Sequence, residues 1–584
     1  MSVRHVSWLM LLMIPAVAAH ADATADLEAL LAEAWEWRMA EYPVNASRLG
    51  DRRYDDRWTD LSLAAFERRH SERREFLRRL QAIDSSGLSA EDQLNYDLFR
   101  RELQNSVDGH RYLEHLMPMS QRGGVQSLDN TAEGLRLATV EDYENWLKRM
   151  AAVETVTEQT IELLRAGMQS GHVQPRILME RIPPQISAQL VETAEESPFF
   201  RAFASMPASI SESEQERLRA SARQVIEESV VPAYRQFSRF FETTYLPATR
   251  DSIGASALPD GAAYYEHQAK SFTTTSMTPD EIHRVGLDEV ARIRSEMQLV
   301  IDELEFDGDF RDFLEFLRND PQFYYESPQE LFDAYLAICK RIDPELIRLF
   351  GKLPRMPYGV RTIPDNIAPD TTTAYYNRPA ADGSRAGYYY VNLYRPEMRP
   401  KYEMEVLSVH EAVPGHHLQI ALQMELEEMP DFRRYSGFTA FTEGWGLYSE
   451  RLGYEIGLYQ DPYSHFGALT YDMWRAVRLV VDTGMHYKGW TRQQAIDFFK
   501  DNAAKTELDI VNEIDRYISW PGQALAYKIG QLKILELRSK AQAALGPRFD
   551  IRRFHDALLS GGALPLEVLE IRMNRWLADE LRPK

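Results

Sequence analysis

The spacing of apolar residues predicts a chain built mostly of helices. Apolar side chains recur three and four positions apart through most of the sequence, which places them on one face of a helix. Helix starts are marked by an N-cap residue followed three positions later by an acid or amide, the pattern of a capping box. Such starts lie at residues 278–281, 327–330 and 491–494. We therefore expect a mainly α-helical protein.

One region departs from the helical pattern. Residues 371–376 and 387–394 are rich in β-branched and aromatic side chains, and Asp382-Gly383 lies between them. Asp-Gly is a common turn sequence of β-hairpins. The pattern predicts a hairpin or small β-sheet that comes shortly before His410 in the chain.

The first 21 residues are typical of a secretory signal peptide. Arg4 and His5 precede an apolar run over residues 8–19, and Ala19-His20-Ala21 forms an A-x-A cleavage pattern. We expect cleavage near Ala21, a periplasmic or secreted mature protein, and no membrane anchor after cleavage.

The remaining chain shows no repeat and no Gly/Ser-rich linker. We divide it into an N-terminal helical part, residues 22–250, and a catalytic part, residues 251–584, which together form one continuous two-lobed body. A chain of 584 residues is long enough to bury a large core.

Charge and cysteine content exclude some classes of protein. The formal charge of −22 argues against a nucleic-acid partner, because phosphate binding requires clustered Lys and Arg. Cys339 is the only cysteine, so no disulfide can form within the chain and no cysteine near the cleavage site can carry a lipid. The sequence does not predict the oligomeric state.

The strongest chemical signal is a group of histidines that begins at His410-Glu411. In many zinc peptidases two histidines one helical turn apart bind the metal, and the Glu beside the first is the general base. Here four residues separate Glu411 from His416-His417, and Pro414 cannot occupy a regular helix interior without cost. A break at Pro414-Gly415 would bring a later imidazole to the metal, and the spacing alone favours neither His416 nor His417.

A third ligand is predicted on the following helix. Glu443 lies about one helix and a turn beyond the histidines, and Glu450 lies seven residues further, on the same helix face. Two histidines and Glu443 leave a fourth position open for water, as catalytic zinc requires. We therefore expect one Zn2+ per chain, with Glu411 activating a zinc-bound water and Glu450 supporting a ligand.

Further candidates lie in residues 516–528. Tyr517 and Tyr527 carry phenol groups suited to stabilising an oxyanion, and Arg516 and Lys528 are suited to binding a substrate carboxylate. The hypothesis does not choose between the two tyrosines. For each tyrosine the alternative is a structural aromatic.

Asp482 and His486 form another candidate pair. They are four residues apart and can meet on one helical turn, where the carboxylate would orient the imidazole toward a substrate. A purely structural pair fits the spacing equally well.

Several segments resemble a bacterial domain-of-unknown-function family, number 885. They are residues 410–419, 441–445, 482–486 and 520–527, with upstream segments at 245–247, 258–261 and 278–283. The resemblance covers nearly the whole mature chain. The segments are also similar to the clan of His–Glu zinc peptidases, which implies a large two-lobed helical fold with a deep channel.

The resemblance bears on individual residues. Residues 415–418 look like the end of the helical oligopeptidase motif, which implies that His416 is the ligand. Residues 441–446 resemble a run of angiotensin-converting enzyme in which the Glu binds zinc, which implies the same role for Glu443. Arg516-Tyr517 resembles a pair in that enzyme, whereas Tyr527 aligns with a segment of the helical carboxypeptidases, so the oxyanion tyrosine stays open.

The same resemblance implies that the strand at residues 387–393 is a sheet edge that pairs with an extended peptide. Tyr390 and Asn392 would then contact substrate. The leading hypothesis is zinc-dependent hydrolysis of short peptides by a carboxypeptidase, dipeptidase or oligopeptidase. The alternatives are a zinc hydrolase of another amide or ester and a noncatalytic peptide-binding protein.

Overall fold

The structure is a computed structural model that describes residues 16–364, 368, 372–380, 383, 385–435 and 437–582. Residues 1–15 of the predicted signal peptide, and Thr371 and Asp382 of the predicted hairpin, lie outside the described residues. The helices in the first part of the chain are α1 (Ala16–Glu41), α2 (Pro43–Leu49), α3 (Leu63–Gln81), α4 (Ala90–Gly109), α5 (Val140–Ala151), α6 (Val153–Ser170), α7 (Arg176–Met179), α8 (Ile182–Ser187), α9 (Arg201–Ala204), α10 (Glu212–Val225), α11 (Val231–Phe240) and α12 (Leu246–Ala248).

The second part is also helical. Its helices are α13 (Gly261–Thr273), α14 (Pro279–Glu303), α15 (Phe310–Asn319), α16 (Pro328–Ile342), α17 (Leu346–Leu349), α18 (Met404–Glu411), α19 (His416–Met424), α20 (Asp431–Arg434), α21 (Thr439–Glu455), α22 (Pro462–His486), α23 (Arg492–Lys500), α24 (Glu507–Ser519), α25 (Ala526–Leu545), α26 (Ile551–Leu559) and α27 (Leu566–Leu581). The prediction of a mainly helical protein is confirmed. Within the described residues no helix is both long and apolar enough to cross a bilayer.

The predicted helix starts are present. Thr278 caps α14 and Thr491 caps α23, each in a capping box with the residue three positions on. Ser327 accepts a hydrogen bond from the backbone N–H of Glu330 at the start of α16. Each cap satisfies N–H groups that the first turn of a helix leaves without an internal partner.

The helices pack around three hydrophobic clusters, two of which combine both halves of the chain. The first contains Leu27 and Leu103 together with Tyr448 and Leu577, and Cys339 is buried within it. The second joins residues from Met119 to Tyr245 with residues from Val290 to Ala524. The two parts predicted from the sequence thus share their cores.

The small sheet has three strands in the order β1–β3–β2. They are β1 (Tyr358–Thr362), β2 (Ala374–Asn377) and β3 (Gly387–Val391). Strands β2 and β3 are antiparallel, as the predicted hairpin requires, and Gly383 between them has a φ of +73°. Strand β1 pairs with β3 in parallel, so β3 is the central strand. The prediction that β3 is a free edge for a peptide is therefore wrong.

Two helix pairs place the chemical groups. Helix α14 packs along α22, and α21 packs along α25 at a contact between Gly444 and Gly530. A Cβ on Gly530 would lie 1.9 Å from the Ala440 carbonyl oxygen, so the two helices approach at backbone distance. The sheet packs on α19, where the Tyr376 hydroxyl lies 2.9 Å from His417 Nδ1.

Candidate metal centre

The two predicted ligand histidines lie on different helices that meet at a sharp break. Helix α18 ends at Glu411 and α19 begins at His416. The break contains Pro414, whose carbonyl oxygen accepts a hydrogen bond from Trp445 Nε1 at 2.9 Å. Gly415 is required there, because a Cβ would lie 1.9 Å from the His410 carbonyl oxygen. The two extra residues of the motif are thus accommodated by a turn between two helices.

The break brings three ligand atoms together. His410 Nε2 lies 3.7 Å from Glu443 Oε2, and His416 Nε2 lies 3.4 Å from the same oxygen. All three ligand atoms lie within 4.8 Å of one another, and both histidines are buried. Among the described residues this is the only cluster of at least three His, Cys, Asp or Glu with ligand spacing.

A second carboxylate, that of Glu450, binds the His410 nitrogen that is not directed at Glu443. His410 Nδ1 donates to Glu450 Oε1 at 2.7 Å, which leaves Nε2 directed at Glu443. Arg475 NH2 lies 3.3 Å from the same Glu450 oxygen and fixes its position. The supporting contact predicted for Glu450 is therefore present.

The charges at this site favour a cation. Burial lowers the pKa of His410, but the carboxylates of Glu443 and Glu450 outweigh it and raise that pKa to about 9. Burial favours protonation of Glu443, yet His416 and His410 hold its pKa well below the ordinary value. A buried carboxylate that stays ionised beside two imidazoles is electrostatically suited to a metal ion.

The donor atoms fit zinc. Zinc bonds of 2.0–2.1 Å in tetrahedral geometry separate neighbouring ligands by roughly 3.3 Å. The measured separations of 3.4 and 3.7 Å between the Glu443 oxygen and the histidine nitrogens are close to that value. Two imidazole nitrogens and one carboxylate oxygen form a zinc ligand set that leaves a coordination position open.

Glu450→Gln is expected to weaken zinc binding about 10- to 100-fold, because the hydrogen-bond acceptor remains but its charge on His410 is lost. Zinc affinity is measured by competition with a chromogenic chelator. Glu455→Gln is the matched control, since Glu455 lies on the same helix and pairs with Arg538 away from the cluster. Equal zinc affinity in the two variants would contradict the role given to Glu450.

His417 is not part of the cluster. Its Nε2 donates to the Met356 carbonyl oxygen at 3.0 Å, and its Nδ1 accepts from the Tyr376 hydroxyl at 2.9 Å. Burial lowers the pKa of His417 to about 4, so the ring is neutral. Both nitrogens are engaged, and the choice between the two histidines falls on His416.

Glu411 is the last residue of α18 and directly follows His410. Its side chain is partly exposed, and its charge contributes to the raised pKa values of His410 and Tyr389. No hydrogen bond or ion pair to its carboxylate is found in the described part of the chain. Glu411 is therefore available to take a proton beside the cluster.

The structure separates the two candidate tyrosines. The Tyr517 hydroxyl is buried and accepts from Arg478 Nε at 2.7 Å and from Trp474 Nε1 at 3.0 Å. Its proton is directed to Glu513, so its hydrogen-bonding capacity is used within the protein. Tyr527 is half-buried, and among the described residues its hydroxyl makes no hydrogen bond shorter than the 3.5 Å contact with Gln523 Nε2.

Lys528 and Arg516, the two residues predicted to bind a substrate carboxylate, have different surroundings. Lys528 is fully buried and binds Asp472 at 2.6 Å and Glu289 at 2.9 Å, so its charge serves an internal ion network. It has no capacity left for a substrate carboxylate, and that assignment is wrong. Arg516 is also buried, but it lies near Tyr527, donates to Gln523 at 2.8 Å and pairs with Glu513 at 3.4 Å.

The strand residues assigned to substrate are structural. Asn392 is buried and donates to the Ala368 carbonyl oxygen at 2.7 Å, while its own oxygen accepts from the Tyr394 N–H. Tyr390 stacks on Tyr375 of β2 with ring centroids 4.9 Å apart. These contacts hold the central strand in its sheet, so the structure does not support substrate-binding roles for either residue.

His486 is also structural. Its Nδ1 accepts from the Ala255 N–H and its Nε2 donates to the Tyr517 carbonyl oxygen, each at 3.0 Å. Burial lowers the pKa of His486 to about 4, and both nitrogens are satisfied by backbone groups. No hydrogen bond between Asp482 and His486 is found among the described residues. The Asp482 carboxylate instead accepts from the Tyr265 hydroxyl at 2.6 Å and the Gly522 N–H at 3.1 Å.

Asp482 gives a pH-dependent prediction. Burial raises the pKa of its carboxyl from 3.8 to about 7, so its stabilising contribution is complete below pH 4 and is lost as the pH rises to 7. Asp482→Asn keeps an acceptor oxygen and removes the titration. The free energy of unfolding of the variant, relative to wild type, should increase by about 2–3 kcal/mol from pH 5 to pH 8. Urea denaturation at both pH values measures it, and an unchanged difference would refute the assignment.

The sequence interpretation missed the buried charges around Tyr517. Arg475 and Arg478 lie on α22, and Glu513 lies on α24. A signal was available, since two arginines three residues apart interrupt an otherwise apolar helix that is buried along most of its length.

The fold and the cluster together define a mainly helical protein with a buried site of two histidines and one glutamate. The chain belongs to the bacterial protein family of unknown function DUF885, whose model matches residues 43–573. A search of curated proteins gives no match.

Two solved structures share the fold. One is described as "the putative lipoprotein from Colwellia psychrerythraea"; it is 28% identical, with a TM-score of 0.89, and the match covers 95% of this chain and 99% of that chain. The other is described as a putative lipoprotein of unknown function from Shewanella oneidensis; it is 18% identical, with a TM-score of 0.67 and the same coverage. The second likeness concerns the fold alone.

Proposed function

We propose that the protein is a zinc-dependent hydrolase of peptide bonds in short peptides. The observation that supports this most directly is the convergence of His410, His416 and Glu443, with Glu411 next in sequence to the first ligand. A noncatalytic binding protein would have no need to keep a free carboxylate at position 411. One zinc ion per chain is the cofactor of this proposal.

Zinc held by these three side chains would supply a Lewis acid that polarises a carbonyl group and acidifies water. Glu411 takes the proton of the attacking water and passes it to the leaving amine. The hydroxyl of Tyr527 donates a hydrogen bond to the oxyanion, a role supported by its half-buried position and by the internal use of Tyr517. Glu450 keeps Nε2 of His410 directed at the cluster.

We also propose an extracytoplasmic location and a two-lobed shape for the protein. The Colwellia relative is described as a lipoprotein, which supports an extracytoplasmic location for this chain, in line with the signal-like first 21 residues. A two-lobed body with a deep channel is the shape expected for a peptidase of short substrates.

A mixture of short synthetic peptides tests the proposal. Zinc-loaded protein should cleave members of the mixture, chelation should stop cleavage, and added zinc should restore it, with products read by mass spectrometry. Cleavage of amide or ester substrates but not peptides would favour the other hydrolase function. No cleavage of either kind, with zinc bound, would favour a binding protein.

A further inference from the structure

Three arginines gather around one glutamate beside Tyr527. Arg478 on α22 and Arg516 on α24 both contact Glu513, at 3.1 and 3.4 Å. Arg122 lies close enough that its charge acts on Glu513, and no salt bridge to Arg122 is found among the described residues. Burial raises the pKa of Glu513, but Arg516 and Arg478, with the hydrogen bond from Tyr517 and the charge of Arg122, hold that pKa at about 2.

This cluster carries more positive charge than it neutralises. Three guanidinium groups face a single glutamate, and Asp482 nearby has a carboxyl whose pKa is raised to about 7. Arg478 is 4% exposed, and its Nη1 atom is buried with no hydrogen-bond partner in the part of the chain that the structure describes. A buried cation whose N–H donor has no acceptor lowers the stability of the fold, and an anion bound to that donor removes the penalty. In a chain of net charge −22, this local excess is the opposite of the overall charge.

The guanidinium of Arg478 is held rigidly. It lies 4.3 Å from the Tyr527 ring and 4.8 Å from the Trp474 ring, while Nε donates to Tyr517 and Nη2 to Glu513. Aromatic faces and fixed hydrogen bonds orient the remaining Nη1 donor in advance. Such a preformed guanidinium suits the planar oxygens of a carboxylate.

A short chain of contacts links this cluster to the metal centre. His410 binds Glu450, Glu450 binds Arg475, and Arg475 and Arg478 both lie against the Trp474 ring, at 4.7 and 4.8 Å. Arg478 is three residues beyond Arg475 on α22, a rise of about 4.5 Å along the helix axis.

We propose that Arg478 and Arg516, with the charge of Arg122, bind the terminal carboxylate of the peptide substrate. This inference rests on the proposed peptidase function and makes it more specific. The enzyme then acts on peptides with a free carboxyl terminus and removes residues from that end.

The test compares the fastest-cleaved peptide of the mixture with its carboxamide. Amidation removes the charge that the cluster binds and should raise KM about 10- to 100-fold, with a smaller change in kcat. The same difference should appear as weaker binding of the carboxamide to zinc-loaded Glu411→Gln protein, measured by calorimetry without turnover. Equal binding and equal cleavage of the two peptides would overturn the inference and leave the peptidase function intact.

Three variants test which arginines bind the terminal carboxylate. Arg478→Lys should raise KM for the free acid and shrink the difference between acid and carboxamide, and a loss of kcat alone would count against the anchor. Arg122 is exposed, so Arg122→Gln should fold normally and raise KM about three- to tenfold even if the Arg478 variant does not fold. Arg492→Gln is the control. Arg492 pairs with Asp515, which lies on α24 as Glu513 does, so this variant also removes a guanidinium that binds an acid of α24. It should change neither the KM for the free acid nor the ratio of KM between acid and carboxamide.

Failure of the peptidase function and failure of the carboxylate-binding role give different experimental results. If no peptide is cleaved and zinc does not bind, the peptidase function fails. If peptides are cleaved in the middle, or as carboxamides at the same rate, only the carboxylate anchor fails. Products shortened at the carboxyl end support both.

Discussion

His416→Ala is expected to lose stoichiometric zinc, whereas His417→Ala keeps about one zinc per chain. His416 Nε2 lies 3.4 Å from Glu443 Oε2 within the ligand cluster, but both nitrogens of His417 bind the sheet and the Met356 carbonyl. Removing one of three protein ligands should lower zinc affinity by several orders of magnitude, because two ligands cannot hold the ion against dilution. Elemental analysis after dialysis measures the zinc content.

The adjacent pair makes this comparison well controlled. The two variants change neighbouring residues of one helix by the same deletion, so a difference in zinc content reports ligation rather than packing. Loss of zinc in His417→Ala with retention in His416→Ala would reverse the assignment. Circular dichroism and thermal unfolding of both variants check that each keeps the overall fold.

Glu411→Gln is expected to keep zinc and to lower kcat for peptide cleavage about 10²- to 10⁴-fold. Gln has nearly the same shape but cannot take a proton, so the contribution of general-base catalysis is lost. Zinc should remain bound, since the three candidate ligands are His410, His416 and Glu443, and Glu411 is not one of them. The measurement is steady-state turnover together with zinc content in the same preparation.

Glu427→Gln is the control for this variant. Glu427 is well exposed and lies 3.5 Å from Arg355, outside the cluster. Its replacement should leave turnover within about twofold, as expected for an exposed ion pair. Wild-type turnover in Glu411→Gln, with zinc bound, would exclude Glu411 as the base.

Much of the fold was predictable because its signals are local. A capping box such as Thr278 with Glu281 lies within four residues, and a hairpin such as β2–β3 needs only two neighbouring segments. The pairing of β1 with β3 was missed because it joins strands with β2 between them in the chain, which no local pattern specifies. That one pairing turns β3 from an edge into the central strand.

The candidate ligand cluster was predictable for a similar reason, since His410 and His416 are close in sequence and Glu443 is on the next long helix. The distinction between His416 and His417 depends on how the chain turns at Gly415, which spacing does not show. The role of His486 was mistaken because its partners, Ala255 and Tyr517, are backbone groups from distant segments.

The central claim is that His410, His416 and Glu443 bind one zinc ion, and anomalous diffraction at the zinc edge tests it most directly. Crystals of zinc-loaded protein should show one strong anomalous peak within bonding distance of His410 Nε2, His416 Nε2 and a Glu443 carboxylate oxygen. No peak at this cluster, or a peak bound by other residues, would contradict the account.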